Sequence, residues 1–398
     1  MKKFSLLLLC VSSGMLSVSA TGVIPENDVS EVVLPVVVSS DVSVDVSTAT
    51  PDVAAVPMEG EERQTTLMKM KEEFKTTFKF GGYLTGRYNI SDRRGTASNG
   101  GFDIRRFRLY GSGHAWRDFY YRFQLEVSDA PGTDRGPRVL DAFVEWQRHE
   151  FFRVKLGQFK RCFGFENPIS PLSIGFGSYS QAANRLQSVS DRIGAHRSSG
   201  RDGGVQVQGD FWKTEAGHPL FHYQVGLYNG QGINHRDLNH HKDLIAGFWV
   251  SPLKELKIGA FGWEGRHTNE NNRLQTIARH RYGLGVMYES DWTVRSEYVH
   301  SVGSTLKGGA DRSDAWYAAV GVPVRGVEGL KIYGRWDCYR DNARTWGGMK
   351  TDWNLSANYW LGKNLLLQLN YTHTCDRSTP VGADRRYNVL DAQVTARF

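Results

Sequence analysis

The stretch richest in residues able to do chemistry is KRCFGFENPISPLSIGFGSYSQAANRLQSVSDRIGAHRSSGR, from Lys160 to Arg201. Its charges are almost all cationic: Lys160, Arg161, Arg185, Arg192, Arg197 and Arg201 stand against only Glu166 and Asp191. Guanidinium groups are weakly hydrated and meet two oxygens at once with forked donors, so such a segment suits the handling of phosphate-like anions. Roughly forty residues with no strand pattern is also too long for a passive link, and connections of that length in compact folds usually carry function. If the segment enters a lumen, it makes a positive constriction. Phe163, Phe165, Phe176 and Tyr179 in the same stretch are expected to pack it against a wall, although a sugar- or peptide-admitting pore could also use aromatic side chains.

Other constellations are weaker. INHRDLNHHKD, Ile233 to Asp243, contains an HRD triplet, but no glycine-rich nucleotide loop precedes it and position 242 is Lys where the kinase pattern needs Asn. His240 and His241 read as an exposed loop rather than a metal site. No GxSxG or P-loop sequence occurs, and no Ser/His pair is placed by strand parity on an outer wall. The expectation is a protein without catalysis, cofactor or metal.

The chain has 398 residues, 40% hydrophobic, 12% aromatic and 43 of them glycine, with a mean hydropathy of -0.44. After the N-terminus no apolar run approaches the ~18 residues of a spanning helix. Strands apolar on one side only would escape that test. MKKFSLLLLCVSSGMLSVSA reads as a secretory signal over residues 1–20, with two lysines, a short apolar stretch and small residues Val18 and Ala20 before the cut. Cleavage would leave Cys162, Cys338 and Cys375, an odd set without metal-type spacing. Residues 21–60 read as a disordered Val/Ser/Pro/Asp-rich linker and 61–77 as a short amphipathic helix carrying Leu67, Met70 and Phe74. The net charge of +7 is uneven, since residues 21–77 hold four Lys/Arg against eleven Asp/Glu. The remainder from residue 78 carries 43 basic and 31 acidic residues, scattered rather than in runs, which argues against a nucleic-acid partner.

From Phe78 onward the pattern repeats every two residues. Phe78, Phe80, Leu84, Tyr88 and Ile90 alternate with Lys79, Thr85, Arg87 and Asn89. A strand keeps that alternation when one face is apolar and the other wet. About sixteen such segments run to Phe398, with short and long connections in turn. The expectation is an all-β, transmembrane antiparallel β-barrel over residues 78–398, with the third long loop folded into the lumen. A soluble β-sandwich would also alternate, but it would need a far more apolar core, and Phe119, Trp146, Trp292, Trp353 and Tyr359 lie near strand ends as an interfacial girdle does. Strand parity then sends Arg87, Arg106, Arg108, Arg122, Arg153, Lys155, Arg281, Arg295, Lys331, Arg335 and Arg397 inward, together with nine acidic residues. Each of these arginines could equally stiffen the wall through cross-strand ion pairs.

LGQFKRCFGFENP (Leu156 to Pro168), RDGGVQVQGDF (Arg201 to Phe211) and YQVGLYNGQGIN (Tyr223 to Asn234) resemble the phosphate-selective porin O and P family of Gram-negative outer membranes. The resemblance implies a sixteen-stranded barrel, a homotrimer and passive uptake of small anionic solutes through an arginine-lined lumen. It also implies an outer-membrane location and a C-terminal Phe398 read by the barrel assembly machinery. The family's arginine ladder and lysine cluster do not align residue by residue, so anion preference carries over better than phosphate specificity. The expected function is therefore an anion-preferring porin; a general or sugar-type pore, or a surface antigen or adhesin barrel, are the alternatives.

Overall fold

The computed structural model describes residues 77–94, 100–128, 137–194, 198–379 and 384–398. The expected signal at 1–20, linker at 21–60 and all but the last residue of the 61–77 helix lie outside these. Sixteen antiparallel strands form the wall: β1 (Lys79–Ser91), β2 (Gly100–Trp116), β3 (Phe119–Glu126), β4 (Arg138–His149), β5 (Phe152–Lys160), β6 (Arg201–Lys213), β7 (Pro219–Tyr228), β8 (Asp243–Leu253), β9 (Leu256–Thr268), β10 (Thr276–Glu289), β11 (Thr293–Val302), β12 (Arg312–Pro323), β13 (Leu330–Arg340), β14 (Met349–Leu361), β15 (Leu365–Asp376) and β16 (Arg386–Arg397). Each pairs with its sequence neighbours and β16 returns to β1, so the barrel is closed. Closure leaves no backbone edge unpaired, the condition for a sheet to cross lipid. At the seam, Tyr83 faces Arg397, and Gly82 and Phe398 exchange two backbone hydrogen bonds of 2.9 and 3.0 Å.

Alternation sets which side faces where. In β1, Leu84 and Ile90 are exposed while Tyr83 and Thr85 are buried; in β11, Val294 and Tyr298 are exposed while Arg295, Glu297 and Val299 are buried. The exposed set is apolar and the buried set largely polar, the reverse of a soluble protein and what an outward face in lipid requires. Odd-to-even connections are the long ones and even-to-odd connections the short turns, so the barrel has a long-loop end and a short-turn end.

One irregularity matters later. Across β1 and β2, Thr85 pairs with Arg106 but Gly86 pairs with Ile104, so Arg105 is the extra residue of a β-bulge. A bulge re-aims the side chain at its position. Simple parity would point Arg105 outward; instead its guanidinium donates to the Gly177 carbonyl at 2.7 Å, inside the barrel.

The packed apolar core lies between the β5–β6 loop (residues 161–200) and the wall. Phe163 and Phe165 meet Phe261, Trp263 and Trp249 with ring centroids 5.0–6.1 Å apart, and Phe176 meets Tyr333 at 5.7 Å. Burying one phenylalanine contributes roughly 1.5–3 kcal/mol, so these rings alone can hold the loop inside. The segment read as strandless contains one short helical turn, Ala182–Leu186.

Candidate pore constriction

The long loop is fastened around the interior by its own backbone. The amide N–H groups of Phe165 and Glu166 donate to the Glu297 carboxylate of β11 at 2.7 and 2.8 Å, and the Gln181 N–H donates to Asp337 of β13 at 2.8 Å. The Gly177 N–H donates to Asn370 of β15, while Arg295, Asn358 and Arg335 donate to the carbonyls of Ile174, Gly175 and Ser178. A loop that leaves β5 and bonds to β11, β13, β14, β15 and β2 crosses the lumen. Inward acids of the far wall thus accept backbone amides that would otherwise be unsatisfied in a buried place.

Two cavities lie on either side of this crossing. The outer one, about 720 Å³, is bordered by residues at the long-loop strand ends, such as Arg138, Lys350 and Tyr387; the inner one, about 540 Å³, reaches the short-turn end at Trp360 and Arg397. Arg108, Pro171 and Arg201 border both and mark the narrow level between them. Among the described residues, nine cationic ones line the outer cavity against three acidic ones, and seven line the inner cavity against one.

The loop cations have separate fates. Arg185 is exposed in the outer cavity, stacked 5.4 Å from the Tyr339 ring, with no carboxylate partner among the described residues. Arg201 borders both cavities but is held by Asp141 through two contacts of 2.7 and 3.0 Å. Lys160 borders the inner cavity and donates to the carbonyls of Asn167 and Ile169 at 2.6 and 2.9 Å. Two expectations need correcting. Arg161 touches the inner cavity, but its side chain is 1% exposed and pairs with Asp202 at 2.7 Å. Arg192 borders neither cavity and instead clamps Tyr339, Asp341 and the carbonyls of Gly303 and Ala310. Both fasten the loop rather than face solute. Arg197 lies outside the described residues.

Among the wall residues, Arg87, Arg106, Arg108 and Arg335 border the outer cavity, and Arg108, Arg122, Lys155 and Arg397 the inner one. Arg106 has no ion pair among the described residues, whereas Arg87 is tied to Asp103 and Arg108 to Glu126. Arg153, Arg281 and Arg295 border neither cavity: Arg153 pairs with Asp210, Arg295 with Glu289, and Arg281 with Asp191 of the loop. Lys331 donates to Thr293. Parity missed Arg105, because a bulge is invisible to a count of two, and missed Arg138 and Lys350, which sit at strand starts.

The loop's ionised anchor is Asp191. Burial would raise its carboxyl, but Arg281 at 2.6 Å and Arg279 at 3.5 Å, with the Ser188 hydroxyl, hold it well below the usual carboxylate range. Arg161, Arg279 and Arg281 all surround the Trp263 ring, at 5.2, 4.6 and 4.8 Å, and the indole N–H donates to Asp243 at 2.8 Å. Burial lifts the Tyr179 phenol to about 12 against the opposing pull of Arg108, so it stays a neutral donor to the Ile169 carbonyl.

The profile of the family described as phosphate-selective porin O and P matches residues 74–255. No curated protein matches the sequence. Among solved structures, the fold is similar to an anion-selective porin from Comamonas acidovorans, at 12% identity and a TM-score of 0.60 over 81% of this chain and 100% of that one. OmpF of Salmonella typhi, in complex with daunomycin, is similar at 11% identity and a TM-score of 0.58, over 81% and 97% of the two chains. The outer membrane channel DcaP of Acinetobacter baumannii is similar at 12% identity and a TM-score of 0.57, again over 81% and 97%. At such identities these likenesses show the fold, and they agree with the closed wall, the apolar outer face and the family match. The chain therefore has the closed sixteen-stranded fold of outer-membrane porins, and its residues 74–255 match the phosphate-selective porin O and P family.

Proposed function

We propose that the protein is a passive, anion-preferring pore for small solutes, with phosphate among the favoured anions. The carrying observation is the charge of the two cavities among the described residues: nine cationic residues to three acidic in the outer one, and six to one in the inner one once Arg161, buried against Asp202, is set aside. Fixed charge in a water-filled, low-dielectric tube sets the local concentration of counter-ions. A potential of one RT already enriches monovalent anions over cations about sevenfold, and surface potentials reach several times that. Selection needs no bound cofactor and no conformational cycle; solutes move down their gradients past Arg108 and Arg201.

The pore is expected to work as a homotrimer, delivered by an export signal at residues 1–20 and inserted through Phe398 by the barrel assembly machinery. The family match over residues 74–255 and the fold's likeness to porins support that arrangement. The test is a planar bilayer with a potassium chloride gradient across it. Zero-current potentials of the sign set by chloride support the reading, and added phosphate should lower chloride conductance by competing for the same cations. A potential of the opposite sign overturns it.

A further inference from the structure

The outer cavity is chemically two-sided, and resting on the anion-preferring reading we propose that its preferred solute is a phosphorylated monosaccharide rather than a bare inorganic anion. Its cationic side is β1 and β2. There the bulge turns Arg105 and Arg106, consecutive in sequence, to the same interior face, with Arg87 beside them. Arg87 is neutralised by Asp103 and Asp391. Arg106 has no carboxylate partner among the described residues, and Arg105 spends one nitrogen on the Gly177 carbonyl while its buried Nε has no hydrogen-bond partner. Two guanidiniums with donors to spare, on adjacent residues, make a fork for an oxyanion carrying several acceptor oxygens.

The other side is largely uncharged, its Lys350 and Asp352 being paired with each other at 3.7 Å. On β14 and β15, Asn354, Asn370, Thr372 and Thr374 line the same cavity with amides and hydroxyls. Asn354 accepts from the Thr372 hydroxyl at 2.9 Å, but its own Nδ2 is buried with no partner, a donor left over for a ligand acceptor. Leaving such a group unsatisfied costs about 1–3 kcal/mol, so a solute that accepts from it recovers that energy. The loop's Ser178, Gln181 and Asn184 complete the neutral surround.

Size separates the two kinds of solute. A volume of about 720 Å³ lies within the range of ~300–1,000 Å³ that encloses multi-ring ligands. Inorganic phosphate would reach the Arg105–Arg106 fork and leave the amide side in water. A sugar phosphate can place its phosphate on the fork and its hydroxyls on Asn354 and its neighbours, each of which both donates and accepts. An uncharged sugar loses the fork altogether.

The test uses the full-length refolded porin in a planar bilayer, carrying chloride current, with glucose 6-phosphate, inorganic phosphate or glucose added on the long-loop side. Glucose 6-phosphate is expected to half-block at a concentration at least tenfold below that of inorganic phosphate, with glucose inert. R105A and R106A should each weaken block by both anions about tenfold. N354L should weaken block by glucose 6-phosphate alone, and T372V provides the same readout if N354L fails to fold. Inorganic phosphate blocking as well as glucose 6-phosphate, or N354L and T372V leaving both unchanged, overturns the proposal while chloride selectivity stands. Loss of anion preference in the zero-current potential of the same wild-type pore would instead overturn the reading beneath it.

Discussion

Replacing Asp191 with asparagine should release the long loop without opening the barrel. The carboxylate is 3% exposed and serves two guanidiniums that are 2% and 0% exposed, Arg279 and Arg281, and it accepts the Ile193 N–H at 3.1 Å. Removing one partner from a buried ion pair costs about 3–5 kcal/mol, because the charge left behind, here Arg281, stays buried and uncompensated while Arg279 keeps Asp243 at 2.6 Å. At about 1.4 kcal/mol per factor of ten, the ratio of docked to released loop falls between about a hundredfold and several thousandfold. The wall does not share this loss, since its strands are held by their own ladders. Single-channel recording should therefore show larger, noisier conductance in D191N, and trypsin should cut at Arg185, while the urea midpoint of barrel unfolding moves little. Wild-type conductance together with wild-type resistance to trypsin would refute the assignment of Asp191 as the anchor. Acid gives a second arm. The folded carboxyl titrates below the unfolded value near 3.9. The stability it contributes is therefore present above pH ~4 and is lost as the pH falls through the lower, folded value. The wild-type pore should loosen only in strong acid, and D191N should lack that step.

Two further outcomes follow from the same contacts. Asp141 is the single acid of the inner cavity among the described residues and neutralises Arg201 with two short contacts. D141N should raise the anion-to-cation permeability ratio severalfold, read from zero-current potentials; a lower ratio would show that Arg201 does not act on passing ions. Cys162 is buried, with its thiol donating to the Ile245 carbonyl, and burial pushes it up to about 12. At pH 8 only about one thiol in ten thousand is ionised, so maleimide should spare Cys162 in the folded porin and label it in urea. Equal labelling in both states would contradict the docked loop.

The strands were legible because lipid enforces alternation on every one of them. About sixteen alternating segments were expected between Phe78 and Phe398, and sixteen strands run from Lys79 to Arg397. Parity counting sends Arg106 and Arg108 inward, and both border the outer cavity, but it has no means of finding Arg105, where one inserted residue changes which side faces in. The loop's cationic character was equally plain, but the roles of its cations were not. Arg161 finds Asp202 41 residues on, and Arg192 finds Asp341 149 residues on. Such pairings depend on the closed barrel, so no local spacing announces which arginines are neutralised. Arg185 and Arg106 make no ion pair among the described residues, which only the assembled wall and loop decide.

The most direct test of a lumen that filters by fixed positive charge is the zero-current potential, in a potassium chloride gradient, of a porin carrying R105Q, R106Q and R185Q together. These exchanges remove three cavity cations, keeping a polar side chain at each position, while leaving the paired anchors Arg161, Arg192 and Arg281 in place. The potential should fall from its anion-selective value toward zero with the barrel still folded. An anion preference equal to that of the wild type would contradict the account.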